Sequence, residues 1–354
     1  MSKTHKIAVL AGDGIGPEVV REGLRILDAA QERFGFSTER VEYPFGTDHW
    51  LKTEKIFPDA EFAAVQQMDA VLLGAIGDPR APVGLIERGI IGKLRWELDM
   101  YINLRPIKLY DERYCPLKDK GPEDVDMVIV RENTEDAYVH PPVFQHKGTA
   151  DEIAEQPMRY TRKGTERVIR YAFELAMTRP RRQLTLIDKA NAVRAQDLYT
   201  RVFAEVALEY PEVKTDHAYI DAACMWMVKN PEWFDVAVTT NLFGDIITDL
   251  GAMLQGGMGV AASANLHPGK LSLFEPIHGS MPKAAGKNTA NPVATISAVS
   301  LMLDYLGEKE AAAAVEGAIA DLLRSDRVKG LKAGLHSTSE WGDMVLEQMG
   351  ALTA

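Results

Sequence analysis

Cysteine is nearly absent: two residues in 354, Cys115 and Cys224, far apart and in no Cys-x-x-Cys spacing. That count excludes a disulfide framework and a cysteine-built structural zinc site, and the reducing cytosol is the expected compartment. Long apolar runs are absent too. No stretch reaches the roughly 18 residues that a membrane helix needs. The run Ile7-Ala8-Val9-Leu10 after Met1–His5 is too short for a signal-peptide core and has no small-residue cleavage pattern. The eight histidines form no His-Glu-x-x-His or His-x-His pair, so a histidine-bound metal is not suggested. Basic blocks are missing: 40 Lys and Arg stand against 51 Asp and Glu, a formal charge of −11. Neither nucleic acid nor a membrane surface is therefore an expected partner. Internal repeats, low-complexity tracts and Ser/Gly linkers are also lacking.

What is present is ordinary globular material, 46% apolar and 26% charged. The length suggests about two domains. Without a linker, the chain is expected to cross between them more than once. Lys6–Ala11 reads as a buried strand, followed by Gly12-Asp13-Gly14-Ile15-Gly16-Pro17. Pro17 suits a first helical turn, and Val19, Val20, Leu24, Leu27 and Ala30 recur at helical spacing to about Arg33. Ala70–Gly74 is another strand. Strand, helix, strand at this spacing predicts an α/β fold with parallel pairing. Further strands are expected at Met127–Val130, Gln183–Ile187, Thr215–Ile220 and Val236–Thr239. Helices are expected at Thr165–Met177, Ala195–Tyr210, Asp245–Met253 and Thr295–Leu306. Gln255–Gly259 reads as a mobile glycine-rich connection, and Val139–Glu155 as an excursion, a hairpin arm.

Four constellations can carry chemistry. Asp245 and Asp249 share a helix face, and Asp221 stands at the end of an expected strand. Three hard oxygen ligands suit Mg²⁺ or Mn²⁺, although a capping Asp245 and a solvated Asp249 give the same spacing. Arg95, Arg105 and Arg131 lie at element ends beside apolar runs. Such arginines clamp carboxylates or make surface ion pairs. Lys189 follows a strand, and a lysine brought near other cations can serve as a base, with Tyr138 as the paired acid. Each taken alone also fits a snorkelling lysine or a core-edge tyrosine. Gly12-x-Gly14-x-Gly16 lacks the spacing of the dinucleotide fingerprint, and no convincing acidic residue closes a following strand, so a Rossmann domain is rejected. More unusual is Phe274-Glu275-Pro276-Ile277-His278-Gly279-Ser280-Met281-Pro282, continuing to Ala290-Asn291-Pro292. A Gly/Pro loop with His, Ser and Asn before a helix suits a nucleotide's phosphate and base, or is simply structural.

Taken together and in order, Gly12–Val19, Leu94–Pro106, Val130–Tyr138, Asp188–Asn191, Asn241–Asp249 and Phe274–Pro292 resemble the β-decarboxylating dehydrogenases. This is the family of 3-isopropylmalate, isocitrate, homoisocitrate and tartrate/D-malate dehydrogenases. The resemblance implies a two-domain α/β/α fold with a mixed sheet. The larger, coenzyme-binding domain would comprise 1–104 and 257–354. The smaller domain, 105–256, would carry an arm at about 139–160 and the interface of a homodimer with shared active sites. It also implies that Arg95, Arg105 and Arg131 clamp malate carboxylates, and that Asp221, Asp245 and Asp249 hold Mg²⁺ or Mn²⁺, in part across the dimer interface. Lys189 would take the hydroxyl proton and Tyr138 would protonate C3 after loss of CO₂. Coenzyme contacts are implied at Ile15, Gly74, Glu275, His278, Gly279, Ser280, Lys283 and Asn291.

The substrate is read from the turn before Arg95. Isocitrate enzymes place Ser and Asn six and four residues before that arginine; here the residues are Gly89 and Ile91. Isopropylmalate enzymes carry an apolar residue at the second position, as Ile91 is. Their usual Glu and Leu, seven and three before the arginine, are Arg88 and Gly92 here. Gly92 implies a roomier pocket, with Arg88 placed to meet an anionic group. 3-Isopropylmalate is the expected substrate, which would make this a leucine-pathway enzyme. Tartrate, D-malate or another 3-substituted malate such as homoisocitrate are the alternatives, and a catalytically silent homologue or a metal-dependent phosphatase are those of a different class. Asp188 stands where isopropylmalate enzymes usually have His. Lys283 stands where NAD enzymes usually have Asp, and Ala284 where many NADP enzymes have Tyr. NAD is expected, with NADP as the alternative.

Overall fold

The computed structural model describes residues 3–351. Residues 1–2 and 352–354, the outermost positions of the expected larger domain, lie outside the described residues. The chain forms two compact units. The first holds the residues up to Met100, Lys108–Pro122 and those from Ala252 on; the second holds Tyr101–Ile107 and Glu123–Gly251. The sequence reading places 105–256 in one uninterrupted middle domain, whereas the chain passes between the units four times. The difference lies in Lys108–Pro122, whose partners are in the first unit. Lys108 N donates to Gln255 Oε1 at 2.9 Å. Arg113 Nη2 donates to the carbonyls of Leu323 and Ser325 at 3.0 and 3.1 Å.

In the first unit β1 (Thr4–Gly12) leads into α1 (Gly16–Phe34), then β2 (Ser37–Glu42), α2 (Thr47–Thr53), α3 (Asp59–Val65) and β3 (Ala70–Ala75). α4 (Leu85–Glu87), a π-helical turn (Arg88–Gly92) and α5 (Lys93–Glu97) run on as one helical stretch. The second unit follows with β4 (Ile102–Lys108), β5 (Asp126–Glu132), β6 (Val143–Gln145), β7 (Ile153–Glu155), α6 (Arg162–Thr178), β8 (Gln183–Asp188), α7 (Asp197–Ala207), β9 (Lys214–Tyr219), α8 (Ile220–Lys229), β10 (Val236–Thr239) and α9 (Asn241–Leu254). The first unit is completed by β11 (Ala262–Leu266), β12 (Ser272–Pro276), α10 (Val293–Leu306), α11 (Lys309–Arg324) and α12 (Thr338–Ala351).

Strand order in the first unit is β2-β1-β3-β12-β11. All these pairs are parallel except β11–β12, so the sheet is mixed. Ile7–Leu10 and Ala70–Leu73 are buried on both sheet faces, which is why they read as continuous apolar runs. On one face Ala8, Leu10, Val71 and Leu73 pack against Phe57, Phe62, Ile86, Ile90 and Leu94. The other face is covered by α1 and α10. Two glycines close on one carbonyl: a Cβ at Gly16 would lie 2.0 Å from Ala11 O, and one at Gly74 2.3 Å from the same atom. Only glycine permits that approach.

In the second unit the order is β4-β5-β10-β8-β9, with β5, β10, β8 and β9 parallel. α6 and α7 pack on β5, β8 and β10, and α8 packs on β8 and β9. α9 lies against β4 through Gly251, whose Cβ would fall 2.2 Å from Ile107 Cδ1. The excursion at Val139–Glu155 contains a two-stranded antiparallel hairpin, with Val143 opposite Glu155 and Gln145 opposite Ile153. One local reading is corrected. The strand expected at Thr215–Ile220 stops at Tyr219, so Asp221 sits in the first turn of α8 rather than at a strand end. Tyr219 is already extended backbone before that helix.

Candidate active site

The second unit places two buried guanidiniums on one side of α9. Arg131, next to last in β5 and 2% exposed, donates from Nε to Asn241 O at 2.8 Å and from Nη2 to Asn241 Oδ1 at 2.7 Å. Its Nη1 meets Asp245 Oδ1 at 2.6 Å. Gly244 makes the approach possible, since a Cβ there would lie 2.4 Å from Arg131 Cγ. The Tyr138 ring sits 5.4 Å from the Arg131 guanidinium carbon, and its hydroxyl donates to Asp245 Oδ2 at 2.5 Å. Arg105, also buried, donates from Nε to Asn103 Oδ1 at 2.7 Å and reaches Thr248 Oγ1 at 3.4 Å. Burial and the neighbouring Asp245 charge push the Asp249 carboxyl up, while Arg105 and Arg131 pull it back. Two carboxylates one helical turn apart that disfavour each other's charge are what a hard divalent cation relieves. Asp245 and Asp249 thus fit Mg²⁺ or Mn²⁺ as two of its ligands.

Asp221 stands apart. Lys189, just past β8, places Nζ 2.6 Å from Asp221 Oδ1 and holds that carboxyl below its ordinary range. No group of three His, Cys, Asp or Glu suited to a metal occurs among the described residues. The three aspartates therefore do not form one ligand set within a single chain. The Lys189 backbone is held by Gln196: its N donates to Gln196 Oε1 at 2.7 Å. Gln196 Nε2 donates to Tyr160 OH at 2.8 Å, and Tyr160 OH donates to Asp136 Oδ1 at 3.0 Å. Asp136 also accepts from Leu242 N at the start of α9. This line of groups joins the Lys189 turn to the loop bearing Tyr138, and sequence reading does not find it because its members lie up to 106 positions apart. Asp188, the departure before Lys189, is fully buried and has its own counter-group, His217 Nε2 at 3.1 Å.

In the first unit Arg95 on α5 donates from Nη2 to Glu275 Oε1 at 2.8 Å, and Asn265 Nδ2 donates to the same oxygen at 2.7 Å. Arg95 Nε is shielded from solvent without a hydrogen-bond partner. Glu275 lies in β12, so the loop expected from Phe274 begins at Ile277. The loop is pinned to the glycine turn, where Ile15 N donates to Ser280 O at 2.8 Å and Ser280 Oγ donates to Gly77 O. Ile15 is buried against Val19 and Ala290. Gly74 is buried in β3 against Ala11 O, where it serves close packing. His278 Nε2 and Asn291 Nδ2 are both shielded and without a partner. Burial pushes the His278 pKa down, so the ring is neutral near pH 7. Gly279 has open space around its Cα, and Lys283 is exposed in the short turn Pro282–Ala284. A neutral ring and an amide with unused polar atoms, beside an open glycine, fit a nucleotide coenzyme. Asp13, in the glycine turn, faces inward: it accepts Thr47 N at 2.6 Å, Thr47 Oγ1 at 3.0 Å and Gly77 N at 2.9 Å.

One expectation for the Arg88–Arg95 stretch changes. Gly92 does not leave an enlarged space. A Cβ there would lie 2.8 Å from Cζ3 of Trp96, whose ring occupies that place. Arg88 stacks on the same ring, its guanidinium carbon 5.1 Å from the ring centre. Ile91 is half-buried and packs on the aromatic core beneath the helix.

Buried Arg105 and Arg131 on the strands of an α/β sheet, with Asp245 and Asp249 on the helix beside them, define the class, and the isocitrate/isopropylmalate dehydrogenase family model matches residues 6–345: the chain belongs to that family. Among relatives, it is 48% identical over 351 residues to a 3-isopropylmalate dehydrogenase of Thermobifida fusca, with 98% of each chain covered. A 3-isopropylmalate dehydrogenase of Frankia casuarinae is 46% identical over 341 residues, covering 96% of this chain and 97% of the relative. An isocitrate dehydrogenase structure from Methylococcus capsulatus matches with a TM-score of 0.88 at 35% identity, covering 98% of this chain and 99% of that one.

Proposed function

We propose that the protein oxidises and decarboxylates 3-isopropylmalate, with NAD as hydride acceptor and Mg²⁺ or Mn²⁺ as cofactor. The observation that carries the substrate is the turn before Arg95. It carries Gly89 and apolar Ile91, and so has no polar pair for a third carboxylate. Arg105 and Arg131, buried and cationic, bind the malate carboxylates in the second unit, and Arg95 is assigned the same role in the first. The Lys189 amine accepts the proton of the C2 hydroxyl, and a coenzyme held by the His278 and Asn291 loop would accept the hydride from C2. The C1–C2 unit becomes a 2-keto acid, and the carboxylate on C3 leaves as CO₂. The Tyr138 hydroxyl, held beside Asp245, gives its proton to C3. Asp221, Asp245 and Asp249 would hold the divalent ion, which would supply Lewis-acid stabilisation of the negative charge on the substrate oxygen.

The active protein is proposed to be a cytoplasmic homodimer. No helix among the described residues is long and apolar enough to cross a membrane. α8 and α9 leave Met225, Val228, Ile246 and Met253 about half or more exposed. A second copy on these helices would cover that apolar surface and supply the carboxylates that one chain keeps apart. Coenzyme reduction followed by absorbance, with Mn²⁺ and either NAD or NADP, tests the reading against isopropylmalate, D-malate, tartrate, isocitrate and homoisocitrate. The expected result is the highest kcat/KM for 3-isopropylmalate with NAD, abolished by EDTA and restored by Mn²⁺. Activity that survives metal removal, or a preference for isocitrate, would overturn it.

A further inference from the structure

We infer that Trp96 sets the size of the substrate's C3 pocket, with Gly92 and Arg88 as the residues that position its ring. The inference rests on the malate-type substrate proposed above. Gly92 and Trp96 stand four residues apart on one helical stretch, so their Cα atoms share a face. The ring fills the volume that any larger residue at 92 would need: a Cβ there would meet Cζ3, Cη2 and Cε3 at 2.8, 3.0 and 3.3 Å. Contacts below 3.0 Å to a rigid indole leave no room for a branched side chain without moving the ring. The Arg88 guanidinium also lies over the ring, 5.1 Å from its centre. The indole is thus held by a stacked cation in the space that Gly92 leaves. Leu94 and Leu98 pack into the aromatic core beneath, and Trp96 is half-buried and not among the residues of that cluster. A large, half-buried apolar ring in the place of residue 92, three before the proposed carboxylate clamp Arg95, is a wall for an alkyl group. The volume lost at 92 is returned at 96, so the two positions exchange bulk while the pocket keeps its apolar character.

The test is a substrate size series: malates bearing hydrogen, methyl, isopropyl or isobutyl at C3, assayed on the parent, Trp96→Phe, Trp96→Ala, Gly92→Leu and the double variant Gly92→Leu/Trp96→Phe. One methylene in an apolar pocket is worth roughly 10- to 200-fold in kcat/KM. Trp96→Ala is expected to shift the preference from isopropyl to isobutyl by at least about tenfold, mainly through KM. Gly92→Leu is expected to lose most turnover, and the double variant to recover it. A size preference unchanged within about twofold in Trp96→Phe and Trp96→Ala, with only a lowered Tm, would overturn the inference by making Trp96 a packing residue. If Trp96→Ala does not fold, the Gly92→Leu pair decides: no recovery in the double variant overturns the coupling. If the parent prefers another malate over isopropylmalate, the substrate reading fails. The inference is then judged by whether the parent's own size optimum moves.

Discussion

Replacing Glu132 by Gln should change how stability depends on pH. Glu132 closes β5 and is 1% exposed. Its carboxylate accepts Thr134 N at 2.7 Å, Thr134 Oγ1 at 2.8 Å and Glu135 N at 2.9 Å. Burial outweighs these bonds and pushes the pKa from its ordinary 4.5 to about 7, with the Glu135 charge adding to the push. The folded chain therefore keeps a proton that the unfolded chain releases between these values. The sign follows: the protonated acid's contribution is full below about pH 4.5 and is lost as pH rises toward 7, remaining lost above it. At 1.36 kcal/mol per pKa unit, the loss between pH 5 and pH 8 is about 2–3 kcal/mol. Glutamine does not titrate. Its amide oxygen can still accept from Thr134, but its NH₂ confronts Glu135 N, a fixed cost of about 1–3 kcal/mol. Urea unfolding of both proteins at pH 5, 6, 7 and 8 measures the difference. Glu132→Gln should be the less stable protein at pH 5 and should gain on the parent by about 2–3 kcal/mol by pH 8. A difference that stays constant within about 0.5 kcal/mol over this range would refute the assignment of the titration to Glu132.

Asp13→Asn should lower stability by about 2–3 kcal/mol, read as a lower Tm, because an amide cannot accept three donors from Thr47 and Gly77 as the carboxylate does. Tyr160→Phe removes the hydroxyl between Gln196 and Asp136. It should reduce kcat roughly tenfold with KM within about twofold, since the groups displaced are the Lys189 turn and the Tyr138 loop rather than the arginines. Equal losses in kcat and KM would mean a general loosening instead. Lys283→Asp should move the kcat/KM ratio toward NAD over NADP by at least about tenfold, roughly the worth of one charge reversal near a phosphate. An unchanged ratio would place Lys283 away from the ribose 2′ position.

The strands that the sequence announces most clearly are those buried on both faces, such as Ile7–Leu10 and Ala70–Leu73, because parallel strands need unbroken apolar runs. β9 is mostly exposed at the edge of its sheet, and its end was misjudged: Ile220 continues the apolar pattern but already belongs to α8. The residues of the candidate site were legible as types at element ends, and Arg131, Tyr138 and Asp245 do meet. What was not legible is who holds them. Asp188 with His217 and the line from Gln196 through Tyr160 to Asp136 depend on side chains brought together only by the crossing of strands and helices. The size of the pocket was misread for a similar reason. A glycine at 92 reads as space until the neighbour four residues on is seen to fill it.

The order in which the chain is made gives the passage between units a further meaning. β3 takes β12 as its neighbour, with Ala70 opposite Ser272, so two paired strands are separated by about 200 residues of chain. At roughly 5–20 residues per second on the ribosome, the edge of β3 waits on the order of 10–40 s for its partner. During that time the second unit, most of it one continuous segment from Glu123 to Gly251, is complete. The first unit is by then a three-stranded sheet with an open apolar margin, the kind of edge that pairs with the wrong chain. The segment from Ala252 on therefore does more than bring the loop of His278 and Ser280; its arrival pairs the open edge of β3.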